Sequence, residues 1–124
     1  MRKIEPHERL VVNISEDDKF EPFVSDGVPS KTETILQLDE TFPHGAGFHV
    51  YRMAPGMTTK PHEHNCNEQF LVLEGDITDN DGYEYKKGDL VLLKPGTQHS
   101  SSTVNGCLLA VFIQTPETSL DGGA

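Results

Sequence analysis

The chain has 124 residues, 35% hydrophobic and 24% charged, with a formal net charge of −10, which suits one ordinary domain with a real core. Acidic residues are spread along both halves with no Lys/Arg stripe, so the field repels a phosphate backbone and argues against nucleic-acid binding. No apolar run is long enough to span a membrane, and "MRKIEPHERLVVN" lacks the apolar core of a secretory signal, so a cytoplasmic protein with free thiols at Cys66 and Cys107 is expected.

Helix signals are weak: eight prolines and eleven glycines fall at short intervals, and no long stretch between them keeps a 3.6-residue apolar period. Residues 1–30, with "SEDDKFEPFVSDGVPS", read as an irregular arm packed on the body of a single domain spanning 1–124. "IEPHERLVV", "EPFV" and "TETILQL" are short strand candidates. Stronger ones follow at "FHVYRM" (48–53), "EQFLVLEGDIT" (68–78), "YEYKKGDLVLLK" (83–94) and "GCLLAVFIQ" (106–114), rich in β-branched, aromatic and leucine residues. Asp81-Gly82 predicts a type I′ hairpin turn, and "APGM" and "KPGT" mark two more turns. The pattern is that of an all-β sandwich or barrel of two antiparallel sheets. The segments 70–73, 90–93 and 107–113 are apolar without clean alternation, which suggests cover on both faces, by a second sheet and by a subunit neighbour.

In "PHEHNCNEQF" (61–70), His62 and His64 stand two residues apart, so an extended strand aims both imidazoles to one side. "NCN" reads as a hairpin tip that returns Glu68 on the adjacent strand to face them. His99, after the Pro95-Gly96 turn, is a fourth candidate. Three imidazoles and a carboxylate suit one divalent transition metal: iron, manganese, nickel, zinc or copper. Glu68 has two possible roles, as a ligand or as a base beside the ion. An isolated histidine pair would be read as surface residues; it is the surrounding spacing that favours metal. Two competing motifs fail. Cys66 stands where the second histidine of a zincin HExxH belongs, and Ile77 and Gly88 occupy the first and twelfth positions of a calcium loop built on Asp79 and Asp81. His7, His44 and His49 lack partners at ligand spacing. Tyr51, Arg52, Met53, Phe70, Val72 and Phe112 are candidates to line a pocket, without strand phase to choose among them. Cys66 reads as a partly exposed, inert thiol and Cys107 as a core residue.

The string from Gly56 through His62, His64 and Glu68 to Gly75 resembles the first conserved motif of the cupin superfamily at each defining position and spacing. Gly88, Gly96 and His99 match the second motif in register. Pro95 falls one place later than the usual proline, and Thr103 stands where asparagine is common, departures that touch turn geometry rather than the proposed ligands. The motifs cover 56–103. "RMAPGMTTKPHEH", "EQFLVLEGDITDNDGYEYKKGD" and "NGC" look like the branch that includes ChrR-type anti-sigma cupin domains and small non-haem iron dioxygenases. With no cysteine before Cys66 and no helical segment there, the chain resembles the cupin half of a ChrR-type protein alone.

The resemblance implies a cupin-type jelly-roll barrel, a homodimer, and a metal held by His62, His64, His99 and Glu68. It implies a small organic substrate or ligand and a metal-dependent oxygenase or dioxygenase. A non-catalytic zinc-binding sensor is the alternative. A metal-free sugar isomerase or epimerase fits less well, since it does not need this ligand set.

Overall fold

The computed structural model describes residues 1–120. Among these residues there is no α-helix. Two 3-10 turns, Pro6–Glu8 and Asp17–Lys19, precede twelve strands. Six form one antiparallel sheet in the order β1 (Glu21–Ser25), β2 (Val28–Leu36), β3 (Gly47–Met53), β11 (Cys107–Ile113), β5 (Glu68–Gly75), β8 (Leu90–Leu93). The facing layer is built of short pieces. One ladder joins β12 (Thr118–Ser119), β4 (His62–Glu63) and β9 (Gln98–His99); another joins β10 (Ser101–Ser102), β6 (Ile77–Asp79) and β7 (Glu84–Tyr85). The Thr58–Ser102 bridge and the Thr59 N–H to Ser101 O bond tie these two ladders into one broken sheet. The result is an open, two-layered, cupin-type jelly roll.

Alternation along the long strands fixes which face is which. On β3, β5 and β11 the residues Met53, Phe70, Val72, Leu109, Val111 and Ile113 point between the layers and are buried. Together with Met57, Ile77 and Tyr85 from the other side they form the main core. Burying each of the large apolar side chains contributes about 1.5–3 kcal/mol. The other face of the six-stranded sheet carries a smaller cluster of Phe20, Val50 and Leu108, where Arg52 stacks on the Phe20 ring and pairs with Asp17. Beyond it Phe48, Leu90, Leu92 and Phe112 are exposed.

Gly75 shows why close approach needs glycine. Its φ is +86°, and a Cβ there would lie 2.0 Å from the Gly106 carbonyl oxygen, where Asp76 N–H bonds back across the ladder.

Four expectations change. "IEPHERLVV" is not a strand: Pro6 lacks a donor and starts a 3-10 turn, closed by a capping box between Glu5 and Glu8. The arm is irregular only to residue 20, because Glu21–Ser25 pairs with β2 as an edge hairpin. Asp81-Gly82 is not a type I′ turn, since only Gly82 has positive φ. Gly82 N–H bonds Asp79 O and Asp79 N–H bonds Tyr83 O, a three-residue loop closed by a left-handed glycine. The type I′ pair is Asp26-Gly27, at φ 52° and 77°, between β1 and β2. Finally, "NCN" is no hairpin tip. β4 pairs with β9 and β12 while β5 pairs with β11 and β8, so residues 64–67 cross from one layer to the other.

Candidate metal centre

His62 and His99 are directly opposed partners on β4 and β9. His64, just past β4, is pinned on both sides: its N–H bonds Thr97 O and its carbonyl accepts from Gly96 N–H. The three rings face one another at angles of 65–80°, with centroids 4.6–5.2 Å apart. Glu68 arrives from the opposite layer at the head of β5 and brings Oε1 to 3.4 Å from His64 Nε2. The four residues singled out in the sequence therefore meet in space, although Glu68 does so by crossing the sandwich.

The outer hydrogen bonds decide which nitrogen each imidazole presents. His62 Nδ1 lies 2.8 Å from the Lys60 carbonyl, which can only accept, so Nδ1 carries the proton. Thr97 Oγ1 donates to Lys94 O and so receives the proton of His64 Nδ1 at 2.9 Å. His99 Nδ1 sits 3.1 Å from Asp79 Oδ2. That carboxylate is in turn held by the Tyr85 and Ser101 hydroxyls at 2.6 and 2.7 Å. His62 and His64 are thus set with Nε2 facing the cluster, and the Asp79 carboxylate beside His99 Nδ1 favours the same tautomer there, the arrangement that metal-binding histidines need.

The electrostatics differ from ring to ring. Burial would raise the Asp79 carboxyl, but its contacts with His99, Ser101 and Tyr85 outweigh that and hold it low. Burial, together with the neighbouring His99 ring, keeps His62 neutral to lower pH despite the Lys60 bond. For His64 burial is outweighed by the Glu68 carboxylate, which raises the imidazole. His64 Nε2 is nevertheless fully buried without a hydrogen-bond partner. An orphaned nitrogen beside a carboxylate, with two further imidazoles close by, fits a cation. His62, His64 and His99 each offer a ligand atom within 4.8 Å of the others.

The site opens into a cavity of about 500 Å3 between the layers. Its walls are apolar where Met53, Met57, Phe70, Leu109, Val111 and Ile113 meet, and polar at Glu33, Tyr51, His49, Glu68 and Glu117. Of the candidate lining residues Tyr51, Met53 and Phe70 face the cavity; Arg52 and Phe112 sit on the outer face, and Val72 is sealed in the core. His49 is buried and bonded to the Gly47 carbonyl, which accounts for it structurally, and His44 Nε2 accepts from Val24 N–H. Cys107 is buried, and burial pushes its thiol up to about 11. Burial alone would raise Cys66 too, but the hydroxyl and backbone of Thr115 bring it below the ordinary thiol value.

Three contributors are not marked in the sequence as site residues. Asp79 reads there only as part of a failed calcium loop. Glu33 accepts from Tyr51, a predicted lining residue, within the cavity, from two strands whose register no motif marks. Glu117 lies 53 residues beyond His64, with Oε2 3.7 Å from His62 Nε2. Partial burial and the nearby Glu68 charge raise its carboxyl above the ordinary range, although 34% of the side chain is exposed.

A two-layered jelly roll with three imidazoles and a carboxylate at one mouth defines a cupin. Residues 19–116 match the family model described as the ChrR cupin-like domain, and the chain belongs to that family. In structure it is similar to an acetylacetone dioxygenase from Acinetobacter johnsonii, at TM-score 0.71 and 14% identity over 99% of this chain and 84% of that one. It is also similar to the polyketide cyclase RemF from Streptomyces resistomycificus, at TM-score 0.65 and 23% identity over 90% and 85%. A third likeness is to the complex of Rhodobacter sphaeroides SigE with the anti-sigma ChrR, at TM-score 0.54 and 18% identity, covering 73% of this chain but 45% of that one. At these identities the likeness establishes the fold. No curated protein matches the chain in sequence. Among the described residues no helix is long and apolar enough to cross a membrane.

Proposed function

We propose that the chain is a single cupin domain acting as a metal-dependent, dioxygenase-type enzyme on a small organic substrate. His62, His64 and His99 would hold one divalent transition metal (iron, zinc, manganese or nickel), with Glu68 as fourth ligand or as a base beside it. The observation that carries this reading is the opening of His62 and His99, clustered with the buried His64, onto an apolar-walled cavity of about 500 Å3. A sealed structural ion has no use for such a chamber, whereas a reacting substrate does. The bound metal would supply an electrophilic centre and, as iron, a place for dioxygen to be activated. The residues supply the rest. Phe70, Leu109 and Val111 exclude water and hold the apolar part of the substrate. Tyr51, tied to Glu33, offers a fixed polar group deep in the cavity. Glu68, if off the metal, can take a substrate proton.

The fold-level likeness to an acetylacetone dioxygenase makes a small diketone the first substrate to test, followed by phenols and thiols. Elemental analysis of the purified protein should find near-stoichiometric metal, and the iron-loaded form should consume O2 with a member of that panel. No turnover with iron, manganese or nickel across the panel would sink the enzyme reading.

Family membership favours a second reading, a zinc-holding sensory cupin. Tight zinc with all four donors engaged, no turnover, and ligand-dependent association with a regulator would establish it. In either case a homodimer is supported by the apolar outer face at Phe48, Leu90, Leu92 and Phe112 and by the exposed Leu10 and Val11 of the arm. The free thiols accord with a cytoplasmic location.

A further inference from the structure

The C-terminal segment is fastened over the metal centre more firmly than a trailing end requires. Thr118 and Ser119 pair with Glu63 and His62 as β12. Leu120 N–H bonds the Pro61 carbonyl. Asn65 Nδ2, in the layer-crossing segment, donates at 2.9 Å to both Pro116 O and Thr118 Oγ1. Thr115 Oγ1 donates to Cys66 Sγ at 3.4 Å. Every one of these anchors flanks Glu117, and together they fix where its carboxylate falls. It falls on the histidines: Oε2 is 3.7 Å from His62 Nε2, and His64, Glu68 and Glu117 each offer a ligand atom within 4.8 Å of the others.

A bland reading makes Glu117 a solvated rim residue, and its side chain is 34% exposed. Two observations go against that. The carboxylate faces Glu68, and two carboxylates sharing one pocket repel unless a proton or a cation lies between them. Beside both is His64 Nε2, fully buried and without a hydrogen-bond partner. Donors bound at about 2.0–2.2 Å to one ion stand roughly 3–4.4 Å apart; the His64–Glu68 and His62–Glu117 contacts, at 3.4 and 3.7 Å, have that spacing, and the two three-residue groups share His64.

We infer that Glu117, carried by the strap at 115–120, is a fifth donor to the ion held by His62, His64, His99 and Glu68. This rests on the metal-binding reading of the histidines and goes beyond it. Three neutral imidazoles and two carboxylates neutralise a divalent ion completely, which lowers the cost of holding it in a half-buried pocket. Five donors also exceed the tetrahedral shell zinc prefers in closed sites and leave one open position on a six-coordinate ion.

The test is Co2+ binding by the full chain, followed by chelator competition and visible absorption. Glu117→Gln should weaken Co2+ affinity at least tenfold, and its absorption should strengthen as the coordination number falls. Asn65→Ala, which unfastens the strap, should shift both in the same direction by less. Glu63→Gln, which removes a carboxylate bonded to Gln98 instead, should change neither. Circular dichroism confirms that each variant is folded. Unchanged affinity and spectrum in Glu117→Gln, with binding abolished in His62→Ala, overturn the fifth donor and leave the histidine site standing. Failure of the wild-type chain to bind Co2+ overturns both.

Discussion

The two layers of the sandwich are made differently. The six-stranded sheet runs long, with seven consecutive residue pairs between β3 and β11 and seven, interrupted by a shift at Leu108/Leu109, between β5 and β11. Its inner residues supply most of the core. The facing layer contains no strand longer than three residues. Yet three of the four residues grouped in the sequence stand on it, and the long sheet contributes only Glu68. A continuous ladder consumes its carbonyls in pairing. Interrupted strands leave carbonyls and hydroxyls, such as Lys60 O and Thr97 Oγ1, free to fix imidazoles. One layer keeps the fold, and the other is left broken enough to build a site on.

Mutations can break or sharpen that division. The largest effect is expected from His62→Ala, on the broken layer: metal content by elemental analysis should fall to background while the metal-free melting temperature moves little. A collapse of the fold instead would show that the layers are not separable in this way. Phe70→Ala, on the long sheet, should cost about 3–5 kcal/mol in urea denaturation and leave metal stoichiometry in the folded fraction unchanged. Next comes Asp79→Asn, which keeps the shape of the group behind His99 but removes its charge. Metal affinity should drop about 10–100-fold with stability nearly preserved.

The smallest effect is at the joint between the layers. Asp76 accepts from Val104 N–H and Asn105 N–H, both at 2.8 Å, and these bonds depress its carboxyl. A depressed carboxyl stabilises the fold at pH above the unfolded value of about 4 and loses that contribution as pH falls through the folded value. Asp76→Asn should therefore cost about 1 kcal/mol at pH 7, and the difference from wild type should shrink below about pH 4. A constant difference across that range would assign the effect to packing rather than charge.

Much of the fold is legible in the sequence because strand period and Pro/Gly punctuation are local properties. β5, β8 and β11 fall inside the segments read as strands, and β3 exceeds its segment by one residue, Gly47. Turn chemistry was less legible. Asp81-Gly82 and Asp26-Gly27 are the same dipeptide, and only the loop length between paired residues decides which is type I′. In the site, His62, His64, Glu68 and His99 were marked by spacing, and the structure brings them together. Glu33, Asp79 and Glu117 have no such marker, because their nearness depends on ladder register and on a strap far along the chain. "NCN" shows the limit well: its residues suit a turn, but whether a turn stays in one sheet or changes sheets is settled by which strands have free edges.

Those free edges carry one more consequence. β1, at one rim of the long sheet, contains Pro22, which has no amide hydrogen to offer an approaching strand. β8, at the other rim, is Leu-Val-Leu-Leu with nothing of the kind inside it. Its protection sits on either side: Lys86, Lys87 and Asp89 before it, Lys94 and Pro95 after it. These are gatekeepers against edge-to-edge stacking, so neutralising the lysines would leave the folded molecule intact while making it prone to precipitate during refolding.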